Sequence, residues 1–182
     1  MDLKSIIRDI PDFPKKGIIF KDITTLLKNP DALFSATEEL YNLAKNKKIT
    51  KVAGIESRGF ILGGLLAHKL KAGFVPIRKP GKLPSEKLSE SYSLEYGTDS
   101  IEIHKDAIEP RDIVLLHDDL LATGGTMKAA CNLIEKLGGK VVQISFLIEL
   151  TFLNGREKLK KYEVHSLIEY DSEERCHTWR FR

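Results

Sequence analysis

Residues 112–126 read DIVLLHDDLLATGGT, and the order of residue types in this stretch decides the fold. The segment DIVLL at 112–116, apolar after its first residue, is typical of a buried strand. Two adjacent acids, Asp118 and Asp119, come next, followed by a Gly-Gly pair with a threonine on each side. Apolar residues then recur at helical spacing over 127–137, and Gly138-Gly139 marks the helix stop. The stretch therefore predicts a strand that ends at the acids, then a loop and an amphipathic helix.

The same unit of apolar run, polar loop and amphipathic segment recurs along the chain. Helices are predicted after Asn29-Pro30 and over 60–70, and four further strands are predicted at 51–55, 73–77, 140–148 and 163–170. This alternation indicates an α/β fold with a mostly parallel twisted sheet that is flanked by helices. Ligands of such sheets bind beyond the carboxyl ends of the strands, which places three polar loops on one edge: 56–58, 78–82 and 117–126.

Length and composition limit the class of protein. The 182 residues suffice for one domain, and 42% hydrophobic with 30% charged residues is typical of a globular protein. No apolar run approaches the roughly 20 residues of a membrane helix, and the N-terminus lacks the apolar core of a secretory signal. We therefore expect a cytoplasmic protein with no membrane partner. The net charge of +3 comes from scattered basic residues, which argues against nucleic-acid binding.

The loop at 122–126 has the features of a phosphate cradle. Glycine permits close approach of the backbone to an anion, and the start of the following helix presents free N–H groups and a positive dipole end. Thr123 and Thr126 add hydroxyl donors. The pattern is neither a Walker loop nor a dinucleotide fingerprint. The candidate phosphate-binding residues are Ala122, Thr123, Gly124, Gly125 and Thr126.

The two acids suit a sugar, because carboxylates only accept hydrogen bonds and sugar hydroxyls donate them. Neighbouring strand residues point to opposite faces, so both acids can reach one ligand if the strand has ended and the chain is turning. Asp118 and Asp119, placed just before a phosphate cradle, predict a ribose 5-phosphate site. Taken alone, a Gly-Gly pair is more often a tight turn and an Asp pair a solvated strand end, and only their order favours a site.

A larger set of segments carries a family resemblance. The chain resembles the type I phosphoribosyltransferases, and among them the adenine phosphoribosyltransferases, from about residue 8 to about residue 170. The segments that carry it, in order, are IPDFPKKGIIFKDIT (10–24), GIESRGF (54–60), IRKPGKLP (77–84), SYSLEYG (91–97), DDLLATGGT (118–126) and LIELTFLNGREKL (147–159). The tail at 171–182 lies outside the pattern.

The resemblance implies a fold and a reaction. It implies the type I phosphoribosyltransferase fold, effectively a single domain, with a small N-terminal hood (1–28), a core (29–170) and a flexible catalytic flap at about 81–104. The implied reaction converts adenine and phosphoribosyl pyrophosphate (PRPP) to AMP and pyrophosphate. Mg²⁺ is the implied cofactor, held mainly by PRPP and water with few or no direct protein ligands. A homodimer is also implied.

The resemblance also implies a pyrophosphate site. Glu56, Ser57 and Arg58 match the family's pyrophosphate loop, and the peptide between the first two residues is expected to be cis. Cations on the leaving group should stabilise the transition state more than the ground state. The candidate cations, whose alternative role is that of solvated loop charges, are Arg58, Arg78, Lys79 and Lys82.

Base recognition and proton transfer are implied on the hood and the flap. Phe20 would stack on the purine, with Ile19 and Lys21 beside it and Leu150 as the opposite apolar wall. The alternative for Phe20 is an ordinary core position. Glu95, with Tyr96, lies on the flap, where its carboxylate would handle a proton of the base at N7 while the closed flap excludes water. The alternative for these two residues is a solvated hairpin.

Three residues depart from the family pattern, and two other functions stay open. Lys21 stands where arginine is expected, Glu56 replaces the commoner aspartate, and His117 replaces an aliphatic residue. A histidine at that position is expected to pack at the strand end, although it could also make activity pH-sensitive. The first alternative function is the same transfer to a 6-oxopurine such as xanthine. The second is a non-catalytic relative that senses PRPP or nucleotides.

Overall fold

The computed structural model describes residues 1–93 and 97–172. The described chain begins with a small N-terminal unit in which strands β1 (Arg8–Pro11) and β2 (Ile19–Asp22) pair antiparallel. A one-turn helix, α1 (Thr24–Leu27), leads to helix α2 (Pro30–Ala44). The Asn29 side chain caps α2 by accepting hydrogen bonds from the N–H groups of residues 31 and 32, and proline occupies the first turn, as predicted.

Five parallel strands form the central sheet, in the order β4-β3-β7-β8-β9. Helix α3 (Gly59–Leu70) connects the first two strands in sequence, and helix α4 (Gly125–Lys136) connects β7 to β8. This arrangement confirms the predicted α/β class and all five predicted strands. Their bounds are β3 Lys51–Ile55, β4 Gly73–Ile77, β7 Ile113–Leu121, β8 Lys140–Leu150 and β9 Val164–Tyr170.

The predicted end of the third strand is wrong. Strand β7 does not stop at the acids but runs through them, because β8 continues alongside it and keeps the ladder paired. Asp118 lies opposite Phe146, and the pairing persists as far as Leu121, which lies opposite Glu149. Both acids are therefore strand residues, and the chain turns only at residues 122–124.

Both faces of the sheet are buried. Helices α2 and α3 and the N-terminal unit cover one face, where Leu115 and Leu147 are inaccessible. Helix α4 covers the other face, where Leu116 and Phe146 pack. Neighbouring residues of β7 alternate between the two clusters, as expected of a strand at the centre of a doubly covered sheet.

The predicted flap segment contains an antiparallel pair, β5 (Lys87–Ser93) and β6 (Thr98–His104). Ile101 and Ile103 of β6 are fully buried in the cluster beside α4, which anchors the base of the pair. The loop after β4 is tied to the same strand, because the backbones of Arg78 and Glu102 exchange two hydrogen bonds of 2.9 and 2.7 Å. Within the described part of the chain, no helix combines the length and apolar character needed to cross a membrane.

Candidate active site

The carboxyl ends of the parallel strands bring the three predicted loops together. β3 ends at Ile55, β4 at Ile77 and β7 at Leu121, and residues at or just beyond these strand ends contact one another directly. Glu56 contacts Arg78, and Arg58 contacts Asp119. The expectation that these loops share one edge is confirmed.

Residues 122–126, here called the cradle, form the turn from β7 into α4. Gly124 precedes the helix with φ of 75°, a left-handed conformation that suits glycine. No side chain of the described residues caps this helix, so the N–H groups of its first turn face the loop without a side-chain acceptor. A cavity of about 210 Å³ opens here, lined by Asp118, Phe146 and residues 120–127. The cavity and the free helix start fit an anion such as a phosphate.

A second turn supports the cradle from outside. A Cβ atom built on Gly124 would lie 2.4 Å from the carbonyl oxygen of Gly155, and one built on Gly155 would lie 2.2 Å from the carbonyl oxygen of Ala122. Both distances are far below van der Waals contact, so only glycine fits at either position. Gly155 opens the 3₁₀ turn Gly155–Leu159, which therefore fixes the shape of the cradle.

The two acids differ in their surroundings. Asp119 is 4% exposed, and its Oδ2 lies 2.9 Å from Nε of Arg58, an ion pair whose angles fall short of a hydrogen bond. The Oδ1 of Asp118 accepts a hydrogen bond of 2.8 Å from the N–H of Asp119. Gly59 at the start of α3 approaches the same oxygen so closely that a Cβ there would lie 2.9 Å away.

Burial and mutual repulsion affect the charge of this pair. Burial, and next the negative charge of Asp119, raise the pKa of Asp118 well above its usual value. Burial also raises the pKa of Asp119, although the positive charge of Arg58 opposes that rise. The free protein therefore holds two crowded carboxyl groups that would be stabilised by a ligand that donates hydrogen bonds to them.

Glu56 organises the cations of two loops. One of its oxygens lies 2.8 Å from Nε of Arg78 and the other lies 2.7 Å from Nζ of Lys82. Burial alone would raise the pKa of Glu56, but the hydrogen bonds from Lys82 and Arg78 outweigh burial and lower it. The peptide between Glu56 and Ser57 is cis, as predicted.

The remaining predicted cation is held by the flap strands. Lys79 forms an ion pair with Asp99 of β6 and a hydrogen bond of 3.0 Å with the hydroxyl of Tyr92 of β5. Burial would lower the pKa of Lys79, but the bonds from Asp99 and Tyr92 raise it. Each of the four predicted cations thus faces a carboxylate in the free protein.

Of the predicted base-binding residues, Phe20 lies close to Arg58. The ring of Phe20 on β2 lies 5.0 Å from the Arg58 guanidinium and packs edge-on against Phe13, with ring centroids 5.2 Å apart. Ile19, also on β2, is half-buried. Leu150 ends β8 and is half-buried against the α2 side of the core.

Lys21 is directed elsewhere. It is only 3% exposed, its Nζ lies 2.8 Å from Oδ1 of Asp9, and the same ammonium lies 4.0 Å from the centre of the Tyr170 ring. These contacts connect β2 to β1 and to the last strand of the sheet. The structure thus engages Lys21 in holding the N-terminal unit, and its part in adenine binding remains a prediction. Glu95 and Tyr96 lie outside the described residues.

His117 is completely buried in β7. Its Nδ1 lies 3.0 Å from the hydroxyl of Ser145, and burial lowers its pKa to about 4. The ring is therefore neutral at ordinary pH. This agrees with the packing role expected from the sequence and gives no support to a pH switch near neutrality.

Sequence reasoning assigned no role to the turn Gly155–Leu159, although it belongs to the segments that carry the family resemblance. Arg156 in this turn donates three hydrogen bonds of 2.6 to 2.9 Å to Glu149 and another of 2.9 Å to the carbonyl oxygen of Val164. The turn is thereby fastened to β8 and β9. The sequence feature that could have indicated this turn is the Gly155-Arg156 pair, which follows a buried strand.

Known proteins share this sequence and fold. The phosphoribosyl transferase domain family matches residues 22–178. The adenine phosphoribosyltransferase of Flavobacterium johnsoniae is 59% identical over 170 residues, which cover 93% of this chain and 100% of that protein. The crystal structure of adenine phosphoribosyltransferase from Thermoanaerobacter pseudethanolicus superposes with a TM-score of 0.91 at 55% identity and covers 93% of this chain and 98% of that one.

A structure with bound ligands is also similar. Adenine phosphoribosyltransferase from Saccharomyces cerevisiae, complexed with an imino-altritol bisphosphate and adenine, superposes with a TM-score of 0.85 at 40% identity and covers 91% of this chain and 96% of that one. The match to the domain family spans most of the chain, and the similar proteins are enzymes of one named activity. The chain therefore belongs to the phosphoribosyltransferase family and, within it, to the adenine phosphoribosyltransferases.

Proposed function

We propose that this protein transfers the phosphoribosyl group of PRPP to adenine and releases AMP and pyrophosphate. One observation carries the proposal: an uncapped helix start, a pair of buried acids and a cluster of cations lie together at one edge of the sheet. These are the partners that the 5-phosphate, the sugar hydroxyls and the pyrophosphate of PRPP would need. The similar proteins supply the identity of the base.

The acids would bind the ribose. Asp118 and Asp119 are crowded in the free protein, and both have raised pKa values because of burial. The 2- and 3-hydroxyl groups of the ribose donate hydrogen bonds, which favour the ionised carboxylates. Binding of the sugar would therefore stabilise the two buried carboxylates, which repel each other in the free site.

The cations would act on the leaving group. As the bond from the ribose carbon to pyrophosphate lengthens, positive charge grows on the ribose and negative charge grows on pyrophosphate. Arg58, Arg78, Lys79 and Lys82 face carboxylates in the free protein, so they are already oriented toward negative charge at this edge. Such preorganised charges stabilise the transition state more than the ground state.

The base would lie against the N-terminal hood. Phe20, next to Arg58, supplies an aromatic face for the purine, the backbone near Ile19 can read its edge, and Leu150 supplies an apolar wall. Lys21 would act chiefly by holding β2 against Tyr170. Glu95, assisted by Tyr96, would receive or return the proton at N7 when the flap closes over the site.

Mg²⁺ would bind chiefly through the substrate. Mg²⁺ prefers oxygen ligands and retains water, and among residues 1–93 and 97–172 no three acidic, histidine or cysteine side chains form a cluster fit for a metal. Both oxygens of Glu56 contact cations, and Asp119 faces Arg58. Asp118 forms no ion pair among residues 1–93 and 97–172, and it is also needed for the sugar. When bound, Mg²⁺ would neutralise charge on the PRPP oxygens.

We also propose a homodimer that works in the cytoplasm. Helix α3 exposes Ile61 and Leu65 one turn apart, and the ring of Phe74 is exposed nearby on β4. An apolar face of this kind suits contact with a second copy. Ile61→Glu should give a monomer by light scattering if this face forms the interface. The buried free thiol of Cys131 suits a reducing compartment.

A base-selection assay tests the proposed function. The protein is mixed with PRPP and Mg²⁺, and nucleotide formation is followed with adenine, hypoxanthine, guanine and xanthine in turn. AMP from adenine alone is the expected result. Product from xanthine or another 6-oxopurine would replace the proposal with the 6-oxopurine enzyme. PRPP binding without product from any base would replace it with a sensor of PRPP.

A further inference from the structure

Lys158 lies beside the cradle in the turn Gly155–Leu159. Its Nζ lies 3.9 Å from the point where a Cβ of Gly125 would be, at the first residue of α4. Gly125 carries no side chain, so the ammonium group lies close to the backbone at the start of this helix. The position is next to the N–H groups that would hold the 5-phosphate.

The turn places Lys158 there by fixing its neighbours. Arg156 is tied to Glu149, and Leu159 is fully buried in the cluster beside α4. In a 3₁₀ turn, residues three apart lie on the same side, so Arg156 and Leu159 anchor one side together. Lys158 lies off that side, toward the cradle.

Lys158 differs from the other lysines of this region in its partners. Lys160 forms an ion pair with Glu157, and Lys161 forms one with Glu135. Within residues 1–93 and 97–172, Lys158 has neither an ion-pair nor a hydrogen-bond partner. Its charge is therefore available to a ligand.

The cradle has no positive charge of its own to balance a bound phosphate. Residues 122–126 include no ionisable side chain, and two acids precede them. A phosphate monoester at neutral pH carries close to two negative charges. Neutral N–H groups and hydroxyls offset only part of that charge when carboxylates lie close by.

We propose that Lys158 binds the 5-phosphate of PRPP and AMP from the turn behind the cradle. The inference rests on the proposed function, since it takes the cradle to be the site of that phosphate. Tyr92 and the carbonyl oxygen of Ser93 lie 3.3 and 3.5 Å from the same Cβ position of Gly125. The end of strand β5 and Lys158 therefore both lie against the first residue of α4, where the cradle ends. The proposal takes the Lys158 ammonium group to reach a phosphate held there.

Binding of ribose 5-phosphate, measured by calorimetry, tests Lys158 without requiring catalysis. Lys158→Gln should weaken it about tenfold, which is the usual effect of losing one charge-assisted hydrogen bond at a partly exposed site. Inorganic pyrophosphate should bind as in the unchanged protein, because it would use the loops at 56–58 and 78–82. Lys158→Arg, which keeps the charge, should retain most of the affinity.

Kinetics separate a binding role from a structural one. In Lys158→Gln the KM for PRPP should rise about tenfold while kcat changes less than about twofold, since the 5-phosphate carries the same charge throughout the reaction. Lys160→Gln is the matched control, because Lys160 directly follows the same turn and forms an ion pair with Glu157. It should leave both constants unchanged.

Two results would overturn the inference. One is unchanged affinity of Lys158→Gln for ribose 5-phosphate, and the other is an equal loss in Lys160→Gln. If the unchanged protein forms AMP and either result is obtained, the proposed function stands and only the role of Lys158 fails. If it binds ribose 5-phosphate through Lys158 but forms no AMP, the proposed function fails and the phosphate contact stands.

Discussion

The two candidate anion sites at the edge of the sheet are built from different parts. The cradle at 122–126 offers backbone N–H groups and threonine hydroxyls, and its shape is fixed by close backbone packing against Gly155. The loops at 56–58 and 78–82 offer long cationic side chains, and each predicted cation faces a carboxylate. The cradle has no charged side chain of its own, and its shape is fixed by backbone packing. The loops carry charged side chains that can exchange a carboxylate partner for a ligand.

The proposed reaction gives a physical reason for this difference. The 5-phosphate stays bonded to the ribose and keeps its charge, so its contacts are equally strong before and during the reaction. Such contacts lower KM without raising kcat. Pyrophosphate gains charge as it leaves, so the contacts that strengthen with that charge raise kcat. The comparison therefore predicts which kinetic constant each residue controls.

Arg58→Gln should give the largest effect. Arg58 contacts both Asp119 and the ring of Phe20, at the centre of the proposed site. Loss of one preorganised charge at a developing anion typically lowers kcat about 100- to 1,000-fold. We expect that loss in steady-state assays with saturating PRPP and adenine.

A suitable control for Arg58 lies at the opposite edge of the sheet. Lys140 is exposed at the amino end of β8, so Lys140→Gln changes the net charge equally but far from the loops. It should leave kcat unchanged. An equal loss of activity in both variants would show that total charge matters rather than position, and the contrast between the two sites would fail.

Thr126→Val should give the contrasting kinetic pattern in the cradle. The substitution keeps the shape of the side chain and removes the hydroxyl, so a hydrogen bond to the phosphate is lost. A hydrogen bond to a charged group contributes about 1.5–3 kcal/mol, so the KM for PRPP should rise about tenfold or more while kcat stays nearly constant. A fall in kcat with unchanged KM would contradict the assignment of the cradle to the non-reacting phosphate.

The difference between the two sites also separates what the sequence could predict from what it could not. The cradle was found from sequence because glycines and a helix start have local signatures. The predicted bounds of the strands at 51–55 and 73–77 agree with the structure for the same reason, because a polar loop follows each strand in the sequence. The end of β7 was misplaced, because pairing with the longer β8 outweighed the polar signal of the acids.

Side-chain partners could not be predicted, because they depend on packing between distant segments. The two bonds of Glu56 require the β4 loop to fold back onto β3, which residue spacing does not specify. The burial of Lys21 against Tyr170 requires the N-terminal unit to contact the last strand. The short strands β1 and β2 were also missed, since four residues are too few to establish a period.

Asp118→Asn should separate binding from stability. The amide oxygen still accepts a hydrogen bond but carries no charge, so the KM for PRPP should rise about fivefold. The pKa of Asp118 is raised in the folded protein, mainly by burial, so its ionisation opposes folding above its ordinary pKa of 3.8. The variant should therefore unfold at the same or a higher temperature at pH 7.5.

The pH dependence of that difference provides a further check. Well below pH 3.8 the carboxyl group is protonated in both the folded and unfolded states, so the stability advantage of the variant should shrink as the pH falls toward 3.8 and disappear below it. Thermal unfolding at a series of pH values measures it. Equal losses of stability and activity at pH 7.5 would mean that Asp118 supports the fold rather than the sugar.

His117→Leu should have the smallest effect on activity, although His117 directly precedes the two acids. Burial lowers the pKa of His117 to about 4, so the ring stays neutral during turnover and adds no charge to either anion site. The pH profile of kcat between pH 6 and 9 should therefore match that of the unchanged protein. A shifted profile would show that the histidine influences the acids and that the two sites are coupled through it.

Stability in acid reveals the cost of burying that histidine. The unfolded chain takes up a proton near pH 6.5 and the folded protein only near pH 4, so folding is disfavoured progressively as the pH falls between these values. Over the whole interval the loss is about 3 kcal/mol, at about 1.4 kcal/mol for each pH unit. His117→Leu should remove this dependence, which urea unfolding at pH 7 and pH 4.5 would measure. At pH 7 the unfolded chain also keeps this histidine mostly neutral, so burying the ring costs little stability there. The neutral ring can therefore lie beside the acids without adding charge to the cradle or to the cationic loops.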